Sequence, residues 1–234
     1  MSPAQHGTGL RAVVLGASGA IGGAFVHLLS ADARFSEVMA FSRNSEPSIA
    51  LESESSIAAC ALHAGQGGAV HWVIDATGAL EIDGHGPEKR LGALSAATLL
   101  RAFEVNAVGP ALLMKHFIPL LAGNQPTVFA TLSARVGSIE DNSKGGWYGY
   151  RAAKAARNML LQSAAIEAHR RLPQAVFAAL QPGTVRSELS QAFVAPADAL
   201  APEDSVAQLY AVLTALKPTG RAHFVDYRAA TIPW

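Results

Sequence analysis

Arg11-Ala12-Val13-Val14-Leu15-Gly16-Ala17-Ser18-Gly19-Ala20-Ile21-Gly22 decides how this chain folds. The apolar run to Leu15 reads as a strand, the glycines as a tight turn, and Ala20–Ser30 as the helix that follows. Glycine at this junction lets the backbone bend sharply, approach a pyrophosphate closely and aim helix amides at negative charge. Gly16, Ser18, Gly19, Ile21 and Gly22 are therefore candidate dinucleotide contacts. Ala12 to Ala31 carries no formal charge and is long enough to imitate a membrane span, but the glycines divide it into strand, turn and helix start.

Outward from that turn, apolar runs rich in Val, Ile and Phe alternate with longer helical stretches. The pattern predicts strands near Arg11–Leu15, Val38–Ser42, Ile49–Leu51, His71–Ala76, Thr127–Ser133, Ala175–Leu180 and His223–Asp226. Helices are predicted over Ala20–Ser30, Ser55–His63, Ser95–Leu121, Tyr148–Arg171 and Pro202–Leu216. That alternation belongs to an α/β fold: a single-domain, Rossmann-type, doubly wound parallel sheet with helices on both faces, spanning residues 1–234. A short segment near 187–199 is the candidate substrate lid.

The 234 residues suffice for one sizeable core, half of them being apolar and only 15% charged. Lys plus Arg equals Asp plus Glu at 18 each, so charge makes no case for nucleic acid or an anionic membrane. The expected partners are small molecules or other subunits. One cysteine, Cys60, excludes an intrachain disulfide framework. It is expected to pack as a small apolar residue. The polar amino terminus has no basic region ahead of an apolar stretch, so the expectation is a cytoplasmic protein. The eight histidines have no metal-ligand spacing, and no metal is expected.

Tyr150-Arg151-Ala152-Ala153-Lys154 sets a phenol and an ammonium one helical turn apart on one face. A phenol with a pKa of about 10 is a poor base at neutral pH. A neighbouring ammonium favours the phenolate, so the pair is expected to lower that pKa and exchange a proton with a hydroxyl or carbonyl as hydride moves to or from nicotinamide. Past the second strand, Phe41-Ser42-Arg43-Asn44 stands where such folds discriminate at the adenosine ribose. Arg43 offers a charged fork to a 2′-phosphate, which favours NADP(H) over NAD(H). Pro182, Gly183, Thr184 and Val185 follow a strand at the ligand-binding edge, where Thr184 and the Val185 backbone could meet the cofactor.

With these residues in order, the chain resembles the short-chain dehydrogenase/reductase family. The family's post-strand turn matches at Asp75-Ala76-Thr77-Gly78, its central-helix asparagine at Asn106 and its proline-glycine segment at Gln181–Val185. Within the family it is similar to the C-factor-like, cell-to-cell-signalling subgroup at Pro87-Glu88-Lys89-Arg90-Leu91, Ser133–Ser138, Gly145-Gly146-Trp147-Tyr148 and Ile232-Pro233-Trp234. The resemblance implies that Asp75, Ala76, Thr77 and Gly78 border the cofactor. It implies Asn106 holding a water in a proton relay, Tyr150 as acid/base and Lys154 as its activator and ribose ligand. It also implies a homodimer or homotetramer built on the two long helices.

Two departures matter. The family shows Ser-Ser, two residues, then Gly, whereas here Ser133-Ala134-Arg135-Val136-Gly137 puts Ala134 in the active serine's place. Ser133 is the expected catalytic serine, with Ser138 in reserve. Ala76 replaces a turn asparagine whose hydrogen bond Asp75 or Thr77 could supply. The expected function is NADP(H)-dependent interconversion of a carbonyl and an alcohol on a small or medium apolar substrate, lined by Trp147, Tyr148, Leu189, Phe193 and Val194. The alternative is a dinucleotide-binding signalling or scaffold protein with weak or no catalysis.

Overall fold

A computed structural model describes residues 9–187 and 199–234. Six parallel strands form its sheet in the order β2-β1-β3-β4-β5-β6: β1 Leu10–Leu15, β2 Phe35–Phe41, β3 Trp72–Asp75, β4 Thr127–Leu132, β5 Ala175–Gln181 and β6 Ala222–Asp226. Strands β1, β3 and β4 are buried along their whole length, which is why they read as largely apolar runs, with Arg11 and Asp75 the buried charged exceptions. Alternate side chains leave the two faces. Val13 and Leu15, Val73, Phe129, Phe177 and Ala179 enter one core with helices α2 (Glu54–Gly65), α4 (Gly109–Phe117) and α5 (Tyr148–Ala168). Ala12 and Val14, Ile74, Val128, Ala130, Val176 and Ala178 enter the other with α1 (Ala20–Ala31) and α6 (Pro202–Ala215). Cys60 is buried in the first core as a small apolar residue. Among the described residues no helix is long and apolar enough to cross a membrane.

Two predicted elements differ from what is found. Ile49–Leu51 pairs with no strand: the Ile49 N–H folds back onto the Ser42 carbonyl at 2.9 Å, and Ser53 already caps α2 by accepting from Ser56 N–H. The run is too short to span a strand between those constraints, although Ile49 still plugs the core. The predicted helix Ser95–Leu121 is broken into α3 (Ala96–Phe103), a π-helical stretch Glu104–Val108, α4 and a 3₁₀ turn Ile118–Leu120. Pro110 has no N–H to give the carbonyl of Asn106 four residues earlier, so the α-helical ladder cannot run through.

The expected lid falls mostly on residues 188–198, outside the described residues, and with it Leu189, Phe193 and Val194.

Candidate active site

Strand β1 has β2 on one side and β3 on the other, so the connections diverge there and open a crevice at the strands' carboxyl ends. Both expected cofactor turns meet in it. Gly16 has φ +81°, and a Cβ there would lie 3.0 Å from the Ala76 carbonyl carbon and oxygen. At Gly22 a Cβ would come within 2.2 Å of the Gly16 carbonyl, so α1 seats on the turn only with glycine at this position. The Gly16 and Ala17 N–H groups donate to the Phe41 carbonyl at 2.9 and 3.0 Å, tying the turn to the end of β2. Helix α1 begins after Gly19 with no side-chain cap and no acidic residue in its first turn, and Ser18 stands exposed on the lip. That leaves amides and the positive end of the helix dipole facing the crevice, a cradle that fits a pyrophosphate.

Beyond β2, Ser42 closes a turn, its N–H donating to Ser45 Oγ at 2.9 Å and its Oγ accepting from Asn44 N–H at 3.1 Å. Arg43 is exposed there and has no ion-pair partner among the described residues.

After β3, the Asp75 side chain is wholly buried. One oxygen accepts from Thr77 N–H at 3.0 Å and Thr77 Oγ1 at 2.6 Å, the other from Thr131 Oγ1 at 2.7 Å and from Arg157 Nη2. Burial pushes the carboxyl up, but Arg157 and the threonine donors outweigh it and hold it below the usual carboxylate range. Asp75 thus supplies the turn's missing asparagine bond. Its carboxylate is fully engaged in these bonds.

Helix α5 presents Tyr150, Lys154 and Arg157 at i, i+4 and i+7, one face. Lys154 Nζ lies 5.5 Å from the Tyr150 ring centroid and donates to the Leu132 carbonyl at 2.9 Å. The expected lowering of the Tyr150 pKa is not found. Burial pushes the phenol up to about 12, and the Arg157 charge only partly opposes this. Lys154 is itself held well below the usual lysine range, first by burial and then by Arg157, with Asp75 opposing. The expectation considered only the charge of a neighbouring ammonium, and the lysine side chain is buried.

Asn106 sits in the π-helical stretch, buried, with both ends of its amide on one residue: Oδ1 accepts from Ala79 N–H at 3.0 Å and Nδ2 donates to the Ala79 carbonyl at 2.9 Å. The side chain therefore clamps the chain after β3. The backbone carbonyl of Asn106 has no i+4 donor, because Pro110 stands there.

Neither expected serine is idle. Ser133 Oγ donates to Asn158 Oδ1 at 2.6 Å within the core. Ser138 Oγ donates to the Trp234 carbonyl at 3.4 Å and accepts from Asp141 N–H at 3.0 Å, anchoring the carboxyl terminus. Of the proline-glycine segment, Pro182 accepts from Ser205 Oγ at 2.6 Å, Thr184 accepts from Leu200 N–H at 2.9 Å, and Val185 is buried. The Trp147 ring meets Tyr150 edge-on at 6.2 Å.

A cavity of about 270 Å³ borders Tyr150 and Asn106, walled by Ala79, Leu80, Glu88 and Arg101. The expected substrate lining at Trp147, Tyr148, Leu189, Phe193 and Val194 does not include this wall from the chain after β3. Sequence reasoning also missed Arg157, whose signal was its i+7 place on the Tyr150 face.

No family model matches the chain. It is 32% identical over 145 residues to the C-signal of Myxococcus xanthus, covering 62% of this chain and 83% of that protein. It is 28% identical over 192 residues to the 1-hydroxy-2-glutathionyl-2-methyl-3-butene dehydrogenase of Rhodococcus sp. (strain AD45), covering 81% and 80%. The crystal structure of NADPH-bound carbonyl reductase from chicken fatty liver superposes with a TM-score of 0.84 at 20% identity, covering 97% of this chain and 95% of that one.

Proposed function

Since the chain belongs to the short-chain dehydrogenase/reductase family, we propose that it is an NADP(H)-dependent oxidoreductase that reduces the carbonyl of a small or medium apolar substrate to an alcohol, or runs the reverse. The observation that carries this is Lys154 stacked against Tyr150 beside the crevice where the Gly16 and Ala76 turns meet. Gly16, Ser18, Gly19, Ile21 and Gly22 would hold the pyrophosphate, Ser42 and Arg43 a 2′-phosphate. Ala76, Thr77, Gly78, Pro182, Gly183, Thr184 and Val185 would border the rest. A bound nicotinamide supplies or accepts the hydride.

Tyr150 moves the proton. With its pKa near 12 the phenol keeps its proton at neutral pH, the state that reduction requires, since the carbonyl oxygen must gain a proton as the carbon gains hydride. Lys154 and a water on the Asn106 carbonyl would restore it. The exposed apolar residues Val108 beside α4 and Met159, Leu160 and Ile166 on α5 support a homo-oligomer formed across these helices, and one core pair around one sheet supports a single domain.

The test is titration with NADPH and NADH, followed by nicotinamide fluorescence, then repeated with Arg43→Ala. Tight NADPH binding that weakens selectively in the variant is expected, followed by turnover of apolar aldehydes and ketones that Tyr150→Phe abolishes. Binding of neither dinucleotide would sink the reading.

A second reading has one observation in its favour: Ala134 replaces the family's serine, and the Ser133 and Ser138 hydroxyls are engaged elsewhere. Under it the chain binds a dinucleotide as a signalling or scaffold protein. Tyr150→Phe would then keep both dinucleotide binding and biological output.

A further inference from the structure

Arg157 is completely buried, one turn beyond Lys154 on the same face of α5. Its Nη1 donates to the carbonyls of Thr77 and Leu132, each at 2.9 Å. The Leu132 carbonyl is also the acceptor of Lys154 Nζ, at the same 2.9 Å. Two cationic side chains thus converge on one backbone oxygen at the end of β4. The second arginine nitrogen, Nη2, pairs with Asp75 and reaches Thr77 Oγ1 at 3.2 Å, while Nε is buried with no hydrogen-bond partner. A buried charge is retained against a large desolvation cost when its geometry is closely met, and an apolar residue of similar size is often no less stable. A stability role alone therefore does not account for an ion pair here.

We propose that Arg157 is a positioning residue for Lys154: it fixes the carbonyl on which the lysine amine rests and, through its own pairing with Asp75, sets the charge balance in which the Tyr150–Lys154 pair exchanges protons. The charged and titratable groups facing Lys154 are Tyr150 and Arg157 on its own helix and Asp75 from β3. Arg157 and Asp75 act on the lysine in opposite directions, the arginine disfavouring the ammonium more than the aspartate favours it. The proposal rests on the oxidoreductase reading for its purpose, but its geometry is independent of turnover.

The experiment is a pH titration of the lysine side chains in protein grown on ¹³Cε-lysine. The chain has five lysines, and Lys154 is assigned by its loss in Lys154→Met. Asp75→Asn leaves the arginine unopposed and is expected to move the Lys154 midpoint to lower pH. Asp75→Asn with Arg157→Leu removes both charges and, because the arginine outweighs the aspartate, is expected to move the Lys154 midpoint above that of wild type as well as above that of the single variant. The double variant carries no unpaired buried charge, so it reports even where the single variant folds poorly. Lys154 curves that overlay in wild type and double variant overturn the proposal, whatever the activity. Shifts as expected with no turnover of any carbonyl uphold it and remove the oxidoreductase reading instead. Turnover with unshifted curves does the reverse.

Discussion

The side-chain carboxylate of Glu88 accepts a hydrogen bond from the Gly149 N–H at 3.0 Å, while the Glu88 backbone carbonyl accepts from the Trp147 N–H. Trp147 is itself left-handed, φ 52°, and gives α5 no side-chain cap. The helix carrying Tyr150 and Lys154 is thus capped from the chain after β3, the same segment that walls the cavity beside Tyr150. A carboxylate here also complements the helix dipole.

Removing this cap should loosen the start of α5 and misplace Tyr150. Glu88→Ala is expected to cost about 1 kcal/mol in urea denaturation. It should lower kcat while leaving NADPH affinity unchanged. Glu88→Gln keeps an acceptor oxygen and should recover most of both. Unaltered kcat in the alanine variant would show that Tyr150 needs no help from this loop.

Asn106 holds Ala79 by both the N–H and the carbonyl, so truncation strands two partly buried backbone groups. Asn106→Ala should lose about 1–3 kcal/mol of stability, the usual penalty for buried polar groups left unpaired. Asn106→Asp keeps the acceptor but loses the donor, and should fall between it and wild type. A thermal-unfolding series in which the alanine and aspartate variants rank equally would contradict the two-bond clamp.

Much of this site was legible because its signals are local. The glycine turn and the Tyr150–Lys154 spacing lie within single elements, and period alone places them. The break at Asn106 was not read from the sequence, because an apolar pattern running through Leu121 masked the inability of Pro110 to donate. Ile49–Leu51 showed the reverse error, β-branched character without room to pair. Arg157 and Asp75 lie 82 residues apart, and only the sheet order brings them together. The sign of the Tyr150 shift failed for the same reason: burial depends on everything packed around the ring, which spacing along one helix does not report.

Ala134 occupies the place of the family's carbonyl-polarising serine, and Ser133 is directed to Asn158. Ala134→Ser should therefore raise kcat for carbonyl reduction by about tenfold, a modest fraction of what a well-placed oxyanion donor contributes. Ser133→Ala should leave kcat nearly unchanged but destabilise the fold by about 1 kcal/mol, because Asn158 Oδ1 loses its donor. Loss of turnover in Ser133→Ala with stability intact would assign catalysis to Ser133 after all.

His71, just before β3, is expected to contribute to acid sensitivity. Its Nδ1 accepts from the Arg11 N–H at 3.1 Å, which requires that nitrogen to be unprotonated, so Nε2 carries the proton toward Gln125 Oε1 at 3.2 Å. Burial lowers its pKa below the ordinary histidine value, the Arg11 charge adds to this, and the Gln125 contact opposes it. A folded pKa depressed below the unfolded one gives stability that is fully present above the unfolded value of about 6.5 and is lost as pH falls through the folded value. Protonation would also set a second N–H against that of Arg11. Urea denaturation of wild type should therefore show a midpoint that drops between about pH 7.5 and pH 5, and His71→Leu, less stable at neutral pH, should show a smaller drop. Equal drops in the two proteins would place the acid sensitivity elsewhere.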